Sequence, residues 1–428
     1  MNDQSPETKA EATAPAPAEL TSNEPEAKRL SKKLLLLLGL SIVVGTAAYL
    51  FLKPGPSPKS IPTSPAKTAV STTAAHPDRI RLIATGDFIA HDSLNSQAKQ
   101  ANGIYDYLQF MSDFKPIFSG ADIRFCNQAT ISAGADFGIS GYPIFNAPTD
   151  FAKDMAGLGC NLVNTASNHS FDKGQAAIDA TLGVWDKLPG LLAVAGENRS
   201  PAEQSKINYF DIKGVKFAFL AYTTYSNTTP PNSFGVNMFS RDTAASQIKA
   251  TKTAGAKFII VSMRWGTEYS STVNAEQTAD SQFLADQGVN LIVGHGPHQL
   301  QTVSRLKGSG GNQTLVWYSL GNFINTQEPP ETLFNGLAVV DIDKNSQQIT
   351  DISYLPIYMH YEWTPAQKAA DELAARKNLH LYLLEDANQA LIDKNQLNTT
   401  VSAQKDRIKS LLDASLSLPL IDKAQYNQ

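Results

Sequence analysis

The chain has 428 residues, of which 42% are hydrophobic and 18% are charged, so it is long enough to bury one large core or two smaller ones. Its formal net charge of −4 provides no basic field of the kind that draws proteins onto DNA or RNA. We therefore expect no nucleic acid among its partners.

The N-terminal part predicts a membrane anchor. Residues 1–33 are rich in Ala, Pro, Glu and Thr, and we expect a disordered tail. Residues 34–52 read LLLLLGLSIVVGTAAYLFL without a charge, and at ~1.5 Å per residue they come close to spanning ~30 Å of hydrocarbon. The basic residues just before this run are Lys28, Arg29, Lys32 and Lys33. By the positive-inside rule the tail is cytoplasmic, and the rest lies outside a membrane crossed once.

A cleaved signal peptide is the alternative to an anchor, since Thr46, Ala47 and Ala48 loosely suit a cleavage site. The long leader and the apolar run that continues to Leu52 favour the anchor. Residues 53–78 are rich in Pro, Ser and Thr and predict a semi-extended linker. In both cases the domain that follows is extracytoplasmic.

An α/β domain is predicted for residues 79–362. Its short apolar runs have the length and β-branched content of buried strands. The runs are IRLIATG, ADIRFCN, NLVNTAS, KFAFLAY, KFIIVSM, NLIVGHG, TLVWYSL and LAVVDID. Between two of them, Ile178, Leu182 and Trp185 form a helical stripe. Strands that alternate with helices predict sheets whose faces are covered by helices.

Residues 363–428 are predicted to be a helical C-terminal extension, with LHLYLLEDANQALI as the clearest stripe. The two cysteines, Cys126 and Cys160, stand in no metal-type CxxC pair. A disulfide between them stays open in an exported chain, but we expect two buried, small apolar side chains.

Polar residues follow the carboxyl ends of the apolar runs, where open α/β sheets place ligands. These residues are Asp87 and His91, Asn127, Asn168, His169 and Asp172, Arg264 and Glu268, and His295 and His298. Asp, Asn and His supply the oxygen and nitrogen ligands that suit a divalent metal ion. Each also has a simpler role, such as a turn at Asp87 or a helix cap at Asn168 or Ser170. It is their joint order that predicts one site.

That order resembles the capsule-synthesis CapA family, also called poly-γ-glutamate synthesis PgsA-like proteins, which have a calcineurin-like metallophosphatase fold. The resemblance covers about residues 81–357. The segments that carry it are GDFIAHDS, ADIRFCNQAT, NLVNTASNHSFDKG, RWGTEY, GVNLIVGHGPHQLQ and YSLGNFINTQ, which begin at residues 86, 121, 161, 264, 288 and 318.

The resemblance implies a two-sheet sandwich flanked by helices, a single-pass anchor and a role in making or attaching an anionic surface polymer. It also implies two metal ions in active members, with a His beside the Asn ligand as the acid. On this chain the implied metal ligands are Asp87, Asn168, His295 and His298, and the implied catalytic acid is His169.

Two positions depart from the family pattern. Ala129 stands where the family has an acidic residue, and Arg264 stands where it has a His before Trp-Gly. Losing an anion and gaining a cation argues against a two-metal centre. Arg264 and Asn127 are then candidate substrate-binding residues, with a salt bridge from Arg264 to Glu268 or Asp87 as the alternative.

Two functions follow as hypotheses. The first is a membrane-tethered protein with a degenerate metal site that binds or guides a capsule polymer during synthesis or export. The second is a metal-dependent hydrolase or transferase acting on a phosphoester or on the polymer. Residues 363–428 are a candidate docking segment for membrane-embedded synthase subunits, with packing on the chain itself as the simpler alternative.

Overall fold

The structure is a computed structural model that describes residues 76–428, and these residues form two β-sheets with helices around them. The strands are β1 (Arg79–Phe88), β2 (Ile123–Gln128), β3 (Leu162–Asn164), β4 (Ala193–Ala195), β5 (Asn208–Ile212), β6 (Val215–Thr223), β7 (Phe258–Arg264), β8 (Leu291–His295), β9 (Val303–Lys307), β10 (Gln313–Trp317), β11 (Asn322–Ile324), β12 (Phe334–Asp343), β13 (Ile349–Glu362) and β14 (Lys377–Leu383).

Twelve α-helices accompany these strands within residues 76–428. They are α1 (Asp92–Ala98), α2 (Lys115–Ser119), α3 (Thr149–Leu158), α4 (Gln175–Trp185), α5 (Pro201–Gln204), α6 (Arg241–Thr253), α7 (Ala275–Asp286), α8 (Pro330–Leu333), α9 (Pro365–Ala369), α10 (Gln389–Lys394), α11 (Val401–Asp413) and α12 (Lys423–Tyr426). Side-chain caps mark the N-termini of several helices. At α7, for example, the Asn274 side chain accepts a hydrogen bond from the Gln277 N–H in a capping box.

The first sheet has the order β14-β13-β12-β1-β2-β3-β4, with β11 paired to β1. Strands β1 to β4 are parallel, whereas β12, β13 and β14 extend the sheet in antiparallel fashion. The second sheet has the order β5-β6-β7-β8-β10-β9, and β6, β7, β8 and β10 are parallel. The predicted sandwich of two sheets flanked by helices is confirmed.

The continuous apolar runs of the second sheet reflect burial on both faces. Along β6, Phe217 and Phe219 belong to the main core, whereas Leu220 and Tyr222 belong to a second core under α6 and α7. Successive side chains of a strand point to opposite faces, so a strand covered on both sides must be apolar at nearly every position. Phe125 of the first sheet meets Phe219 of the second with ring centroids 6.0 Å apart, which joins the two sheets across the main core.

The C-terminal residues were predicted wrongly as a helical extension. The first part of the LHLYLLEDANQALI segment is strand β14, which pairs antiparallel with β13. Its leucines at 379, 381 and 383 are buried in alternation, which is the period of a strand and not of a helix. Helices do follow, but α11 buries Ile408 and Leu412 in the main core, and the Tyr426 hydroxyl donates to the Ile117 carbonyl at 2.6 Å.

The expectation of two unpaired cysteines is also wrong, because Cys126 and Cys160 form a disulfide with their Cα atoms 5.8 Å apart. Both side chains are buried as expected. Cys126 lies on β2 and Cys160 lies just before the neighbouring strand β3, so the parallel pairing brings the two residues together.

The predicted tail (1–33), the predicted membrane helix (34–52) and most of the predicted linker (53–78) lie outside the described residues. Among residues 76–428, no helix combines the length and apolar character that crossing a membrane requires.

Candidate functional site

The site lies where parallel strands of both sheets end. Asp87 is near the end of β1, Asn127 is on β2, and Arg264 and His295 are the last residues of β7 and β8. Their carboxyl ends meet at one edge of the sandwich, which is where α/β folds place ligands. Asn168, His169 and His298 come from the loops that follow β3 and β8.

Asp87 is at the centre of a fully buried polar cluster. Its Oδ1 accepts from Asn127 Nδ2 at 2.6 Å, and its Oδ2 lies 2.8 Å from His298 Nδ1. Asn164 Nδ2 in turn donates to Asn127 Oδ1 at 2.6 Å. Burial acts to raise the pKa of Asp87, but the His298 hydrogen bond and the positive charge of Arg264 hold it below its ordinary value. Asp87 is therefore an ionised carboxylate.

His298 is fixed by two acceptors. Its Nδ1 lies 2.8 Å from the Asp87 carboxylate and 3.0 Å from Asn322 Oδ1, so Nδ1 carries the proton. Its Nε2 lies 3.8 Å from Glu268 Oε1. The residue has φ of +60°, a strained backbone conformation for a residue with a side chain. The surrounding contacts thus hold His298 in one orientation toward the site.

His295 is buried without polar partners. Within residues 76–428 neither ring nitrogen has a hydrogen-bond partner, and Nδ1 is 3.7 Å from Asp87 Oδ1. The ring stacks on Phe125 with centroids 5.3 Å apart. Burial lowers the pKa of His295 to about 4, against the opposing effect of Asp87, and Arg264 adds to the decrease. His295 is therefore neutral at physiological pH.

Arg264 joins the two loops of the site. Its Nε donates to Asn168 Oδ1 at 3.0 Å, and its Nη2 donates to Glu268 Oε1 at 2.8 Å. The guanidinium lies over the Tyr225 ring at 4.8 Å, and the Arg264 side chain is only 1% exposed. Of the two predicted salt-bridge partners the structure selects Glu268. Burial raises the pKa of Glu268, but Arg264 and His298 outweigh this and lower it below its ordinary value.

His169 lies beside Asn168 but belongs to a separate hydrogen-bonded pair. Its Nδ1 is 2.7 Å from Asp172 Oδ2, and its Nε2 is 3.1 Å from Asn227 Nδ2. The carboxylate requires a proton on Nδ1, and the Asn227 amide then donates to Nε2. This tautomer places a proton acceptor at Nε2, on a ring that packs against Phe145 at 4.6 Å.

The predicted residues divide into three groups. The first group contains Asp87, Asn127, His295 and His298. The second contains Arg264 and Asn168, and the third contains His169 and Asp172. Within the described residues His91 makes no hydrogen bond to these groups, but its ring lies 5.6 Å from Phe145, which also packs on His169. Its Nδ1 accepts from the Thr326 N–H at 3.3 Å, and burial lowers the pKa of His91 to about 3.

Four polar contacting residues were missed by the prediction from sequence, namely Asn164, Asn322, Tyr225 and Asn227. Asn322 was visible in the YSLGNF motif, but nothing in that motif assigned it to His298. Tyr225 and Asn227 come from a polar loop after β6 that carries no recognisable motif. Their positions depend on how that loop crosses the strand ends.

The residues as arranged do not fit a divalent metal ion. Both Asp87 oxygens already accept hydrogen bonds, and Asn168 Oδ1 accepts from the cation Arg264. In the part of the chain that the structure describes, no group of three or more His, Cys, Asp and Glu side chains could hold a metal ion. A guanidinium at this place also repels a second cation. The ligand roles of Asp87, Asn168, His295 and His298 remain predictions that this arrangement does not favour.

The fold and the site define a two-sheet α/β protein with a polar site at the carboxyl ends of its parallel strands. Residues 81–327 match the model of the family described as bacterial capsule synthesis protein PGA_cap. The match spans more than half of the chain, and the chain belongs to this family, as its motifs predicted.

Two curated relatives are CapA proteins. The chain is 28% identical over 325 residues to the PGA biosynthesis protein CapA of Bacillus subtilis (strain 168), a match that covers 74% of this chain and 80% of that protein. It is 28% identical over 218 residues to the capsule biosynthesis protein CapA of Bacillus anthracis, which covers 50% of this chain and 51% of that protein.

The solved structures that match are more distant. A novel phosphatase from Mycoplasma pneumoniae has a TM-score of 0.43 and 12% identity, with 69% of this chain and 99% of that chain covered. The calcineurin-like phosphoesterase YfkN from Bacillus subtilis has a TM-score of 0.36 and 14% identity, with 78% and 98% covered.

Proposed function

We propose that this protein takes part in the synthesis, export or anchoring of a capsule polymer such as poly-γ-glutamate, and that it binds the polymer at the candidate site without cleaving it. In this proposal residues 34–52 anchor the protein in the cell membrane, residues 76–428 lie outside, and membrane-embedded synthase subunits are its partners. Family membership supports the capsule role, and the names of both relatives agree with it.

The observation that carries polymer binding is the Arg264–Glu268 pair. Three polar groups lie close to Glu268 Oε1. They are Arg264 Nη2 at 2.8 Å, the Tyr225 hydroxyl at 3.1 Å and His298 Nε2 at 3.8 Å. The Glu268 side chain is 39% exposed, whereas Arg264 is buried behind it. A carboxylate from outside can therefore replace the Glu268 carboxylate on the same groups, as one anion for another.

The disulfide supports the extracytoplasmic location. Disulfides persist in oxidising compartments and are rare in the reducing cytosol. Cys126–Cys160 closes a loop in the first sheet and leaves no free cysteine in the chain.

The uncharged run at 34–52 with its preceding basic residues supports the anchor and its orientation.

Binding of poly-γ-glutamate to the full-length protein in detergent, measured calorimetrically with EDTA present, tests this function. Arg264→Gln removes the cationic donor and should weaken binding about tenfold or more. Glu268→Ala removes the competing carboxylate and should strengthen binding several-fold. Glu276→Ala, at an exposed glutamate on α7, is the matched control and should change nothing.

Dextran serves as the neutral polymer and should not bind. Equal affinity for dextran, or unchanged affinity in both Arg264→Gln and Glu268→Ala, would contradict binding of carboxylates at this site.

A second candidate function is a hydrolase or transferase acting on a phosphoester or on the polymer. The His169–Asp172 pair favours it, because Asp172 holds His169 in the tautomer whose Nε2 can accept a proton. Shortening of poly-γ-glutamate by the wild-type protein, lost in His169→Gln, would decide for this function and against simple binding. A metal ion that generates a nucleophilic water is the usual further requirement, and the present donors do not fit one.

A further inference from the structure

The guanidinium of Arg264 occupies the middle of the polar site. It donates to Asn168 Oδ1 on one side and to Glu268 Oε1 on the other. Asn168 is one of the residues that the family resemblance assigns to a metal ion. The positive charge also acts on Asp87 and His295, the neighbouring members of the same implied ligand set. One residue of the chain thus provides a cation at the position where a metal ion is implied.

The backbone around Arg264 is shaped to admit this side chain. Gly296 has φ of +115°, and a Cβ at this position would lie only 1.9 Å from Arg264 Nη1. The Tyr225 ring covers the guanidinium at 4.8 Å. A glycine on one side and an aromatic ring on the other make a fitted space for a planar cation.

The anionic groups of the site already have polar partners within the protein. Asp87 is hydrogen-bonded through both oxygens to Asn127 and His298, and Glu268 is paired with Arg264. Ala129, where the family resemblance implies a carboxylate, lies instead in an apolar cluster with Ile89 and Phe145. A divalent ion would have to compete with existing hydrogen bonds for the carboxylates and would lack the carboxylate that Ala129 replaces. It would also be repelled by the fixed positive charge of Arg264.

We infer that Arg264 is the resident cation of this site and holds Asn168 and Glu268 in place of a divalent metal ion, so that ligand binding here is independent of metal. The metal-independence of ligand binding rests on the proposed polymer-binding function.

The test is a gain of metal binding by full-length protein in detergent. Wild type, Arg264→His and Arg264→His with Ala129→Glu are dialysed against Mn²⁺, and bound manganese is measured by elemental mass spectrometry together with the melting temperature. Wild type should hold manganese at background level. The double variant should bind it near-stoichiometrically and melt at a higher temperature with Mn²⁺ than without. Arg241→His on α6, half-exposed and paired with Asp280, is the matched control and should stay at background.

Near-stoichiometric manganese in wild type, lost in Asp87→Ala, would overturn the role of Arg264. So would background manganese in the folded double variant and in folded Arg264→His, because another feature would then exclude the metal. Polymer binding is scored separately in EDTA. Failure of every variant to bind polymer would count against the proposed function alone, whereas metal uptake by wild type would count against the resident cation alone.

Discussion

Arg264 and Glu197 are both buried side chains of charged residues, but their surroundings differ. Arg264 has a hydrogen-bond acceptor in Asn168 and an ionised partner in Glu268. Glu197 is 6% exposed, and within the described residues its Oε2 has no hydrogen-bond partner. Burial raises the pKa of Glu197 well above its ordinary value, and the nearby Ser170 hydroxyl opposes this only in part. The protein therefore holds Glu197 as a neutral acid.

Replacing Glu197 with Gln should stabilise the protein at alkaline pH by about 1–3 kcal/mol. A folded-state pKa that is raised gives stability below the ordinary carboxyl pKa, and this stability is lost as the pH rises through the folded-state pKa. The neutral amide avoids that loss, so the advantage of Gln should vanish near pH 4. Urea unfolding at pH 4 and pH 8 measures the difference.

Glu276→Gln, at an exposed position on α7, is the control and should show no such pH dependence. A Glu197→Gln variant that is less stable than wild type at pH 8 would mean that Glu197 is charged in the folded protein.

At the scale of elements, strand β14 shows whether the C-terminal residues form a unit separate from the main fold. Leu381 is fully buried and pairs with Met359 of β13, so the strand completes one edge of the first sheet. Arg81 of β1 adds a second connection, because its guanidinium lies over the Tyr426 ring at 5.1 Å. The last residues of the chain thus pack on the first described strand, and they belong to the same fold.

Truncating Leu381 to Ala should lower the free energy of unfolding of the whole fold by about 2–4 kcal/mol, because it leaves a cavity in the main core. His380→Ala, at the half-buried neighbouring position, should cost much less. Chemical unfolding followed by tryptophan fluorescence measures both. A separate low-stability transition in Leu381→Ala, with the main transition unchanged, would instead indicate an independent C-terminal unit.

At the scale of the whole molecule, membrane orientation remains a prediction that rests on sequence outside the described residues. In cells stripped of their wall, added protease should digest a C-terminal tag and leave an N-terminal tag intact, because the basic residues before position 34 hold the tail inside. A cytoplasmic marker protein controls for lysis. Protection of the C-terminal tag, or release of a soluble protein lacking the N-terminal tag, would contradict an uncleaved anchor with this orientation.

Strand prediction succeeded for the apolar runs and failed for strands that are very short, half exposed or alternating. All eight apolar runs correspond to strands, namely β1, β2, β3, β6, β7, β8, β10 and β12. Strands β4 and β11 are too short to carry a pattern, and β9 is half exposed. Strand β14 carried the alternation of a strand, but its leucines were assigned to a helical stripe.

For the site, the sequence by itself determined which polar residues stand at the strand ends, because the apolar run and the polar residue after it are adjacent in the chain. It also determined the two departures at Ala129 and Arg264, which any comparison of motifs makes visible. Only the tertiary structure decided that Arg264 pairs with Glu268 and Asn168, and that Cys126 pairs with Cys160. The physical reason is that Arg264 and Asn168 stand 96 positions apart and the two cysteines 34, so these contacts depend on how strands pair and sheets pack. Glu268 is only four positions from Arg264, but its choice over Asp87 depends on where the packed sheets place the guanidinium.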